Sequence, residues 1–196
     1  MSALELALRR IVHLLSEAGV PFALVGGLAV SVRVEPRFTR DADLAVAVNS
    51  DAEAEAVIGR LVAAGCRVIA TVEQVATGRL ATVRLLVGSA AEAPVVDLLF
   101  ASSGIEGVVV ANAEPLEVLD GVQIPVAATA HLIAMKLLSR DDERRPQDLV
   151  DLRGLMGQAS AADLALARRA IDLITARGYH RGRDLAAELQ RLVPGA

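Results

Sequence analysis

Apolar positions recur at helical spacing at the start of the chain, and short strand-like apolar runs follow them. Leu4, Leu8, Ile11 and Leu15 lie on one face of a helix with charged residues between them, which predicts an amphipathic helix over residues 2–18. Five further runs are apolar throughout or alternate apolar and polar positions, as strands do. They lie at residues 22–25, 41–48, 66–72, 80–87 and 95–100.

The second half of the chain changes from strand-like to helical patterning. Residues 107–126 contain short apolar runs interrupted by glycine and proline, which predict one or two further strands. From about residue 127 the spacing is helical, and the predicted helices lie at residues 128–140, 146–156, 161–177 and 181–192. We therefore predict an α+β fold, with a small mixed β-sheet flanked by helices over residues 1–126 and a C-terminal helical bundle over residues 127–196.

Composition narrows the possible classes of function. The 196 residues are 54% hydrophobic, which supports a buried core. Aromatic residues are only 2%, so the stacking platforms of single-strand nucleic-acid binders are nearly absent and any RNA has to be held mainly by charge. The formal net charge of −4 argues against broad non-specific nucleic-acid binding. The arginines form groups that are either solvated helix faces or parts of a substrate track, at residues 33/37/40, 140/144/145, 168/169 and 177/181/183.

Cysteine content and hydropathy indicate where the protein works. Cys66 is the single cysteine, which excludes an intramolecular disulfide and a cysteine-rich zinc site and favours the reducing cytoplasm. The opening helix is amphipathic and is not a signal peptide. No stretch of about 18 uncharged apolar residues occurs, so we expect no membrane span.

A glycine pair interrupts the first strand-like run. Residues 22–25 are apolar, Gly26 and Gly27 follow, and residues 28–34 resume an apolar pattern, which predicts a strand, a tight turn and the start of a helix. Glycines at such a turn let a phosphate approach the main chain, and the helix N-terminus favours an anion. A glycine pair taken alone is more often an ordinary turn.

Three aspartates form a candidate metal site. Asp41 and Asp43 are two residues apart on a predicted strand, so their side chains point to the same face. Asp97 lies within the apolar run of residues 94–100, where a carboxylate is costly unless it is paired or metal-bound. Three acids that converge on two Mg²⁺ ions match the requirements of two-metal phosphoryl chemistry. An isolated Asp-x-Asp is commonly a surface feature, and only Asp97 is individually unusual.

Lys136 is the only lysine among 20 basic residues. Arginine-rich codon usage explains the scarcity but not the exception, and lysine offers a compact ammonium for a phosphate; the alternative is a surface lysine on an ordinary helix. Asp148 and Asp151 lie three residues apart on one predicted helix face. If Pro146 is the first helical residue, Asp148 complements the helix dipole, whereas Asp151 is the better functional candidate and could pair with Lys136.

The combination of these motifs resembles a known superfamily. Gly26-Gly27, the string from Thr39 to Leu44 and Val95-Val96-Asp97 resemble the DNA polymerase β-like nucleotidyltransferases. Adding residues 132–136 and 147–152 makes the chain similar to the AbiEii family of bacterial toxins, which includes the MenT toxins of mycobacteria. The resemblance covers approximately residues 8–156.

The resemblance implies a fold, an activity and site residues. It implies a nucleotidyltransferase catalytic domain over residues 1–126 that transfers a nucleoside monophosphate from an NTP, with loss of pyrophosphate, to the 3′ end of tRNA, so that translation stops. The implied roles are Mg²⁺ binding by Asp41 and Asp43, completion of that site by Asp97, binding of the triphosphate by Lys136, and support of Lys136 by Asp151.

Further expectations follow from the same resemblance. Gly26, Gly27, Thr39 and Asp148 are the other candidate nucleotide-binding residues, and Gln147 departs from the basic residue of many relatives. The resemblance also implies a cognate antitoxin. Thr39 is either a β-type filler or a hydroxyl near the phosphates, and in some relatives the antitoxin modifies a hydroxyl at this position. We therefore hypothesise that phosphorylation of Thr39 switches the protein off, because it adds about two negative charges beside the triphosphate.

Two other functions remain open on the sequence alone. The first is a nucleotidyltransferase that acts on an antibiotic or another small molecule, against which the arginine groups and the scarcity of aromatics weigh modestly. The second is a non-catalytic nucleotide-binding regulatory module. The presence of all three aspartates argues against the second, because a module without activity need not keep them.

Overall fold

The computed structural model describes residues 2–35, 39, 41–88 and 94–192. Arg37 and Arg40, two members of the first arginine group, lie outside the described residues. The helices are α1 (Ala3–Glu17), α2 (Gly26–Arg33), α3 (Asp51–Ala63), α4 (Glu106–Ala111), α5 (Thr129–Ser139), α6 (Pro146–Gln158), α7 (Ala161–Ala176) and α8 (Leu185–Leu192). The strands are β1 (Phe22–Val25), β2 (Asp41–Val46), β3 (Arg67–Glu73), β4 (Leu80–Leu86), β5 (Val95–Leu99), β6 (Glu114–Leu119) and β7 (Val122–Val126).

All these strands form one mixed sheet. Their order is β3-β4-β5-β2-β1-β7-β6. The β2–β5 and β1–β7 pairs are parallel, and the remaining neighbours are antiparallel. The five strands predicted first and both of the further strands are present, so the predicted α+β class with a mixed sheet is confirmed. The centre of the sheet is β5-β2-β1, which puts the first glycine turn and all three candidate aspartates on adjacent strands.

Local signals explain how the first helix forms and where it packs. Ser2 is its N-cap: the Ser2 hydroxyl accepts a hydrogen bond from the Glu5 backbone N–H, and the Glu5 carboxylate accepts one from the Ser2 backbone N–H. The apolar stripe that includes Leu8, Ile11 and Leu15 is completely buried in the core. Helix α1 therefore covers the sheet in the way its periodicity predicts.

Helix α5 carries the helical C-terminal region onto the rest of the protein. Most of its side chains are buried, and it contacts α6, α7 and α8 as well as α2, the helix that follows the glycine turn. Because α2 begins at Gly26 next to β2, this packing brings Lys136 of α5 close to the central strands. The division of the chain into two domains at residues 126 and 127 stays a prediction.

Two predictions of secondary structure need correction. Helix α4 (Glu106–Ala111) lies where the apolar run of residues 108–110 indicates a strand. The last helix begins at Leu185 and not at Arg181, because Arg181 and Gly182 have positive φ angles of 56° and 70°, which a right-handed helix does not accommodate. Among the described residues, no helix is both long and apolar enough to cross a membrane.

Candidate active site

Two of the three candidate aspartates are neighbours across parallel strands. Asp43 of β2 is the register partner of Asp97 of β5, so the two side chains project from the same face of the sheet. Asp41 lies two residues before Asp43 on that face and is the partner of Val95. The sheet therefore brings the three carboxylates together, although 53 residues of chain lie between Asp43 and Asp97.

Burial and like charges make the Asp43 carboxyl unusual. Desolvation, followed by the negative charges of Asp41 and Asp97, raises the pKa of Asp43 from 3.8 to about 7, while Lys136 and Arg84 act in the opposite direction. A carboxylate with these neighbours is stabilised by an added cation. This face of the sheet is therefore suited to binding a cation.

The glycine turn fits closely against Asp43. Gly26 has a φ angle of +66°, and a Cβ at this position would lie only 2.6 Å from the Asp43 Cγ and closer still to Oδ2. Both the backbone conformation and the space therefore require glycine. Gly27 has a different role, since its carbonyl oxygen accepts a hydrogen bond from the Ser31 hydroxyl at 3.0 Å within α2.

Lys136 lies between two carboxylates. Its Nζ is 2.8 Å from Asp148 Oδ1 and 2.8 Å from Asp151 Oδ2, and all three side chains are buried. The predicted pairing with Asp151 is present. Asp148 lies in the first turn of α6, as predicted, and it is in addition as close to Lys136 Nζ as Asp151 is. Gln147 donates a hydrogen bond from Nε2 to Asp151 Oδ1 at 3.1 Å, which orients that acid.

The aspartates and the lysine face one another across a single cleft. The cleft has a volume of about 1080 Å³ and passes between the sheet and the helical region. Gly26, Asp43 and Asp97 line it on the sheet side, and Lys136 and Asp148 line it on the helix side. This volume lies slightly above the usual range of small-molecule sites.

Four predicted site residues are not part of the cleft lining. Asp41 is half-buried on the strand beside it, and Gly27 is in the first turn of α2. Asp151 lies behind Lys136 and is almost completely buried, so it acts on the cleft through the lysine. Thr39 is half-buried in the connection that leads into β2.

Part of the cleft wall, called the basic end below, carries a group of arginines. These are Arg140, Arg144, Arg145, Arg181 and Arg183. Arg183 pairs with Glu188 through Nε and Oε1 at 3.0 Å, and Arg140 pairs with Asp142. The remaining three arginines form no side-chain ion pair with another described residue. Of the predicted groups, 140/144/145 and 181/183 thus belong to the cleft, whereas Arg168 and Arg169 are exposed on α7.

Arg181 is the most constrained of these arginines. It has a positive φ angle, and its pKa is lowered first by burial and then by the positive charges of Arg183 and Arg145. Grouped guanidinium ions create a positive potential that attracts anions. The basic end of the cleft is therefore suited to phosphate groups.

Sequence reasoning missed Arg84. This residue lies on β4 opposite Asp97 and holds its carboxylate with two hydrogen bonds, from Nε to Oδ1 at 2.8 Å and from Nη2 to Oδ2 at 2.6 Å. The alternation of β4 places Thr82 and Arg84 on one face, with Val83 and Leu85 buried on the other. That alternation was visible in the sequence, but the partner across the strand was not.

The donor set suits a hard divalent cation, although the side-chain arrangement is not that of a bound ion. Carboxylates of Asp41, Asp43 and Asp97 on one sheet face are the oxygen ligands that such ions prefer, and burial together with the charges of Asp41 and Asp97 raises the pKa of Asp43. Among the described residues, no three acidic, histidine or cysteine side chains converge in a metal-holding geometry. Both oxygens of Asp97 accept hydrogen bonds from Arg84.

The fold is shared with enzymes that modify antibiotics. The chain is similar to the antibiotic-resistance factor ANT(2'')-Ia in solution, with a TM-score of 0.57, 20% identity, and coverage of 89% of this chain and 94% of that one. It is also similar to the lincomycin-bound lincosamide antibiotic adenylyltransferase LnuA, with a TM-score of 0.52, 16% identity, and coverage of 79% and 98%. At these identities the likeness shows the fold alone. No curated protein sequence matches the chain significantly.

A family comparison decides the identity. The model of the family described as "Nucleotidyl transferase AbiEii toxin, Type IV TA system" matches residues 8–194. The chain belongs to the AbiEii family. The resemblance noted from the motifs is thereby confirmed, and it extends through the helical region beyond residue 156. This AbiEii-family protein is a nucleotidyltransferase with an NTP substrate, its family implies an antitoxin, and nucleotidyltransferases of this fold generally use divalent metal ions.

Proposed function

We propose that this AbiEii-family protein is a toxin that transfers a nucleoside monophosphate from an NTP to the 3′ end of tRNA in the cytoplasm, releases pyrophosphate and blocks translation. One observation carries the proposal: Asp43 and Asp97 face Lys136 across a single cleft. A triphosphate between these walls meets an acidic face suited to cations on one side and a fixed ammonium on the other.

Each wall has a separate task in this proposal. The Lys136 ammonium binds the triphosphate, and its two aspartate partners fix the position of Nζ. Gly26 lets the Asp43 carboxylate lie directly against the start of α2, and both residues line the cleft, so a phosphate bound there lies close to the N-terminus of that helix. These contacts align the α-phosphate with an attacking hydroxyl, which supplies much of the rate of a transfer reaction.

The metal in this proposal is Mg²⁺, held by Asp41, Asp43 and Asp97. When bound, it activates the acceptor 3′-hydroxyl and neutralises the leaving pyrophosphate. The chain's own contribution is to keep three carboxylates on one face of a rigid sheet, where burial and then mutual repulsion raise the pKa of Asp43. Asp41 and Asp43 come from a single strand, and Asp97 comes from the parallel neighbour.

The basic end of the cleft favours RNA as the acceptor. Five arginines line it, and three of them have no carboxylate partner among the described residues. A chain with one tyrosine, three phenylalanines and no tryptophan offers little for base stacking, so the acceptor has to be recognised mainly through its phosphates. A backbone-reading track suits a nucleic acid better than a compact drug.

We further propose that a cognate antitoxin controls the protein and that Thr39 is the phosphorylated switch. Thr39 is two residues from Asp41 and half-buried. A phosphate at this position adds negative charge beside carboxylates that already repel one another. The added phosphate would then repel the triphosphate of the nucleotide and so weaken its binding.

A second candidate function has a specific observation in its favour. The two similar structures described above are an antibiotic-resistance factor and a lincosamide antibiotic adenylyltransferase, so a small-molecule acceptor is the alternative. The basic end of the cleft weighs against it, because it offers repeated positive charge.

One experiment separates these functions. Purified protein is incubated with Mg²⁺, each labelled NTP in turn, and either total tRNA or a panel of aminoglycosides and lincosamides. Label in tRNA supports the proposal, and label only in a drug supports the second candidate. NTP binding without any transfer would indicate a regulatory module. Asp41→Ala should abolish transfer while the protein stays folded, and Asp172→Asn, on the exposed face of α7, is the matched control.

A further inference from the structure

Arg84 binds Asp97, which is the third carboxylate of the proposed metal site. Its guanidinium forms a planar two-point contact with both oxygens of Asp97, at 2.8 and 2.6 Å. The two residues are direct partners across the antiparallel strands β4 and β5. Asp97 is in turn the partner of Asp43 on the other side. One row across the sheet therefore reads Arg84, Asp97, Asp43, with all three side chains lining the cleft.

Arg84 also acts on the other carboxylates of the row. Its own pKa is raised first by the hydrogen bonds to Asp97 and also by the charges of Asp97, Asp41 and Asp43. In the reverse direction, Arg84 lowers the pKa of Asp43. A single guanidinium thus supplies part of the positive charge that a divalent cation would bring to the same face.

The pair is asymmetric in a way that allows exchange. The Asp97 side chain is only 10% exposed, whereas that of Arg84 is 47% exposed. The arginine can rotate into the cleft without disturbing the core, but the aspartate cannot leave the sheet. The planar guanidinium forms two parallel hydrogen bonds with the carboxylate in addition to the charge interaction, so a lysine at this position would bind Asp97 less firmly.

We propose that Arg84 is the resident counterion of Asp97 and that a divalent cation has to displace it before Asp97 can join Asp41 and Asp43. The inference rests on the proposed metal-dependent function and assigns Arg84 a positioning role within it. Arg84 keeps the third carboxylate ordered in the metal-free protein and makes metal binding alone unfavourable. After displacement, the guanidinium lies on the cleft wall, where the phosphates of the NTP replace its lost partner.

The test measures Mn²⁺ binding in the absence of nucleotide, by electron paramagnetic resonance of the free ion. We compare the wild type with Arg84→Ala, Arg84→Lys and Arg79→Ala. Arg79 is the matched control: it lies just before β4, pairs with Asp51 at 3.1 Å and does not line the cleft. We expect Arg84→Ala to bind Mn²⁺ at least about tenfold more tightly, since the ion no longer competes with a charged hydrogen-bonded pair. Arg84→Lys should be intermediate, and Arg79→Ala should match the wild type.

Thermal unfolding provides a second readout that does not depend on activity. Arg84→Ala should melt at a lower temperature than the wild type in EDTA and should gain more from added Mn²⁺. Unchanged or weaker Mn²⁺ binding by Arg84→Ala, with the wild type still losing its binding in Asp41→Asn, would overturn the inference and leave the metal site intact. If neither the wild type nor Arg84→Ala binds Mn²⁺ better than Asp41→Asn, both the metal site and this inference are wrong.

Discussion

Asp43 and Asp97 are direct register partners on the parallel strands β2 and β5. This pairing places two carboxylates side by side at the floor of the cleft, with Asp41 close enough to add a third negative charge. The chain tolerates the repulsion because Arg84 and Lys136 lie nearby.

The Asp43 carboxyl should make the metal-free protein less stable as the pH rises. Its pKa is about 7 in the folded protein against 3.8 in the unfolded chain. The protonated form is therefore favoured by folding, and the stabilisation is complete below pH 3.8 and is lost as the pH rises through 7. In EDTA, the melting temperature should fall between pH 5 and pH 8 by several degrees, at about 2–4 °C per kcal/mol. Asp43→Asn should flatten this dependence, and Asp172→Asn should leave it unchanged.

Gly26→Ala should inactivate the protein by pushing Asp43 away. A Cβ at Gly26 overlaps the Asp43 carboxylate, whereas a Cβ at Gly19, with nearly the same φ of +64°, meets nothing within 4 Å. Both substitutions cost about 1–2 kcal/mol in backbone strain, but only Gly26→Ala should also lower transfer and Mn²⁺ binding by at least about tenfold. Equal activity of the two variants would mean that the contact between Gly26 and Asp43 has no functional part.

Lys136→Met should destabilise the fold and abolish nucleotide binding, and the two effects should be separable. Removing the ammonium leaves Asp148 and Asp151 buried without their cation, which costs about 3–5 kcal/mol. The triple variant with Asp148→Asn and Asp151→Asn should recover most of the melting temperature, because no unpaired charge remains buried. It should still fail to bind NTP in equilibrium dialysis. Recovery of NTP binding together with stability would show that Lys136 serves the fold alone.

Negative charge at Thr39 should suppress transfer. Thr39→Glu adds one charge beside three carboxylates that already repel one another, and we expect at least about a tenfold loss of nucleotide transfer. Thr39→Ser keeps the hydroxyl and should stay active. Full activity of Thr39→Glu in the labelled-NTP assay would contradict the regulatory role, whereas inactivity of Thr39→Ser would show that the methyl group, and not the charge, is what matters.

The arginines at the basic end of the cleft should act on the RNA and not on the NTP. Arg145→Ala and Arg181→Ala should each weaken tRNA binding and reduce the slope of log affinity against log salt by about one phosphate contact. Arg168→Ala removes an exposed arginine on α7 and serves as the control for net charge. A slope unchanged in all three variants would place the acceptor elsewhere on the protein.

Much of the fold was predictable from local patterns. The stripe of Leu8, Ile11 and Leu15 predicted α1, and the short apolar runs predicted five of the seven strands individually and one or two more within residues 107–126. The motifs also identified the nine candidate site residues, of which Gly26, Asp43, Asp97, Lys136 and Asp148 line one cleft. Periodicity and residue type are properties of short segments, so they can be recognised without knowledge of the remaining chain.

The sequence by itself determined which chemical groups this protein possesses: aspartates on strands, one lysine on a helix and a glycine turn. Only the tertiary structure decided which of them meet. The partnership of Arg84 with Asp97, the equal role of Asp148 beside Lys136 and the overlap that forbids a side chain at Gly26 depend on strand register and helix packing. These relationships join residues that are distant along the chain, and their distances are set by the packing of the whole core, which no local pattern contains.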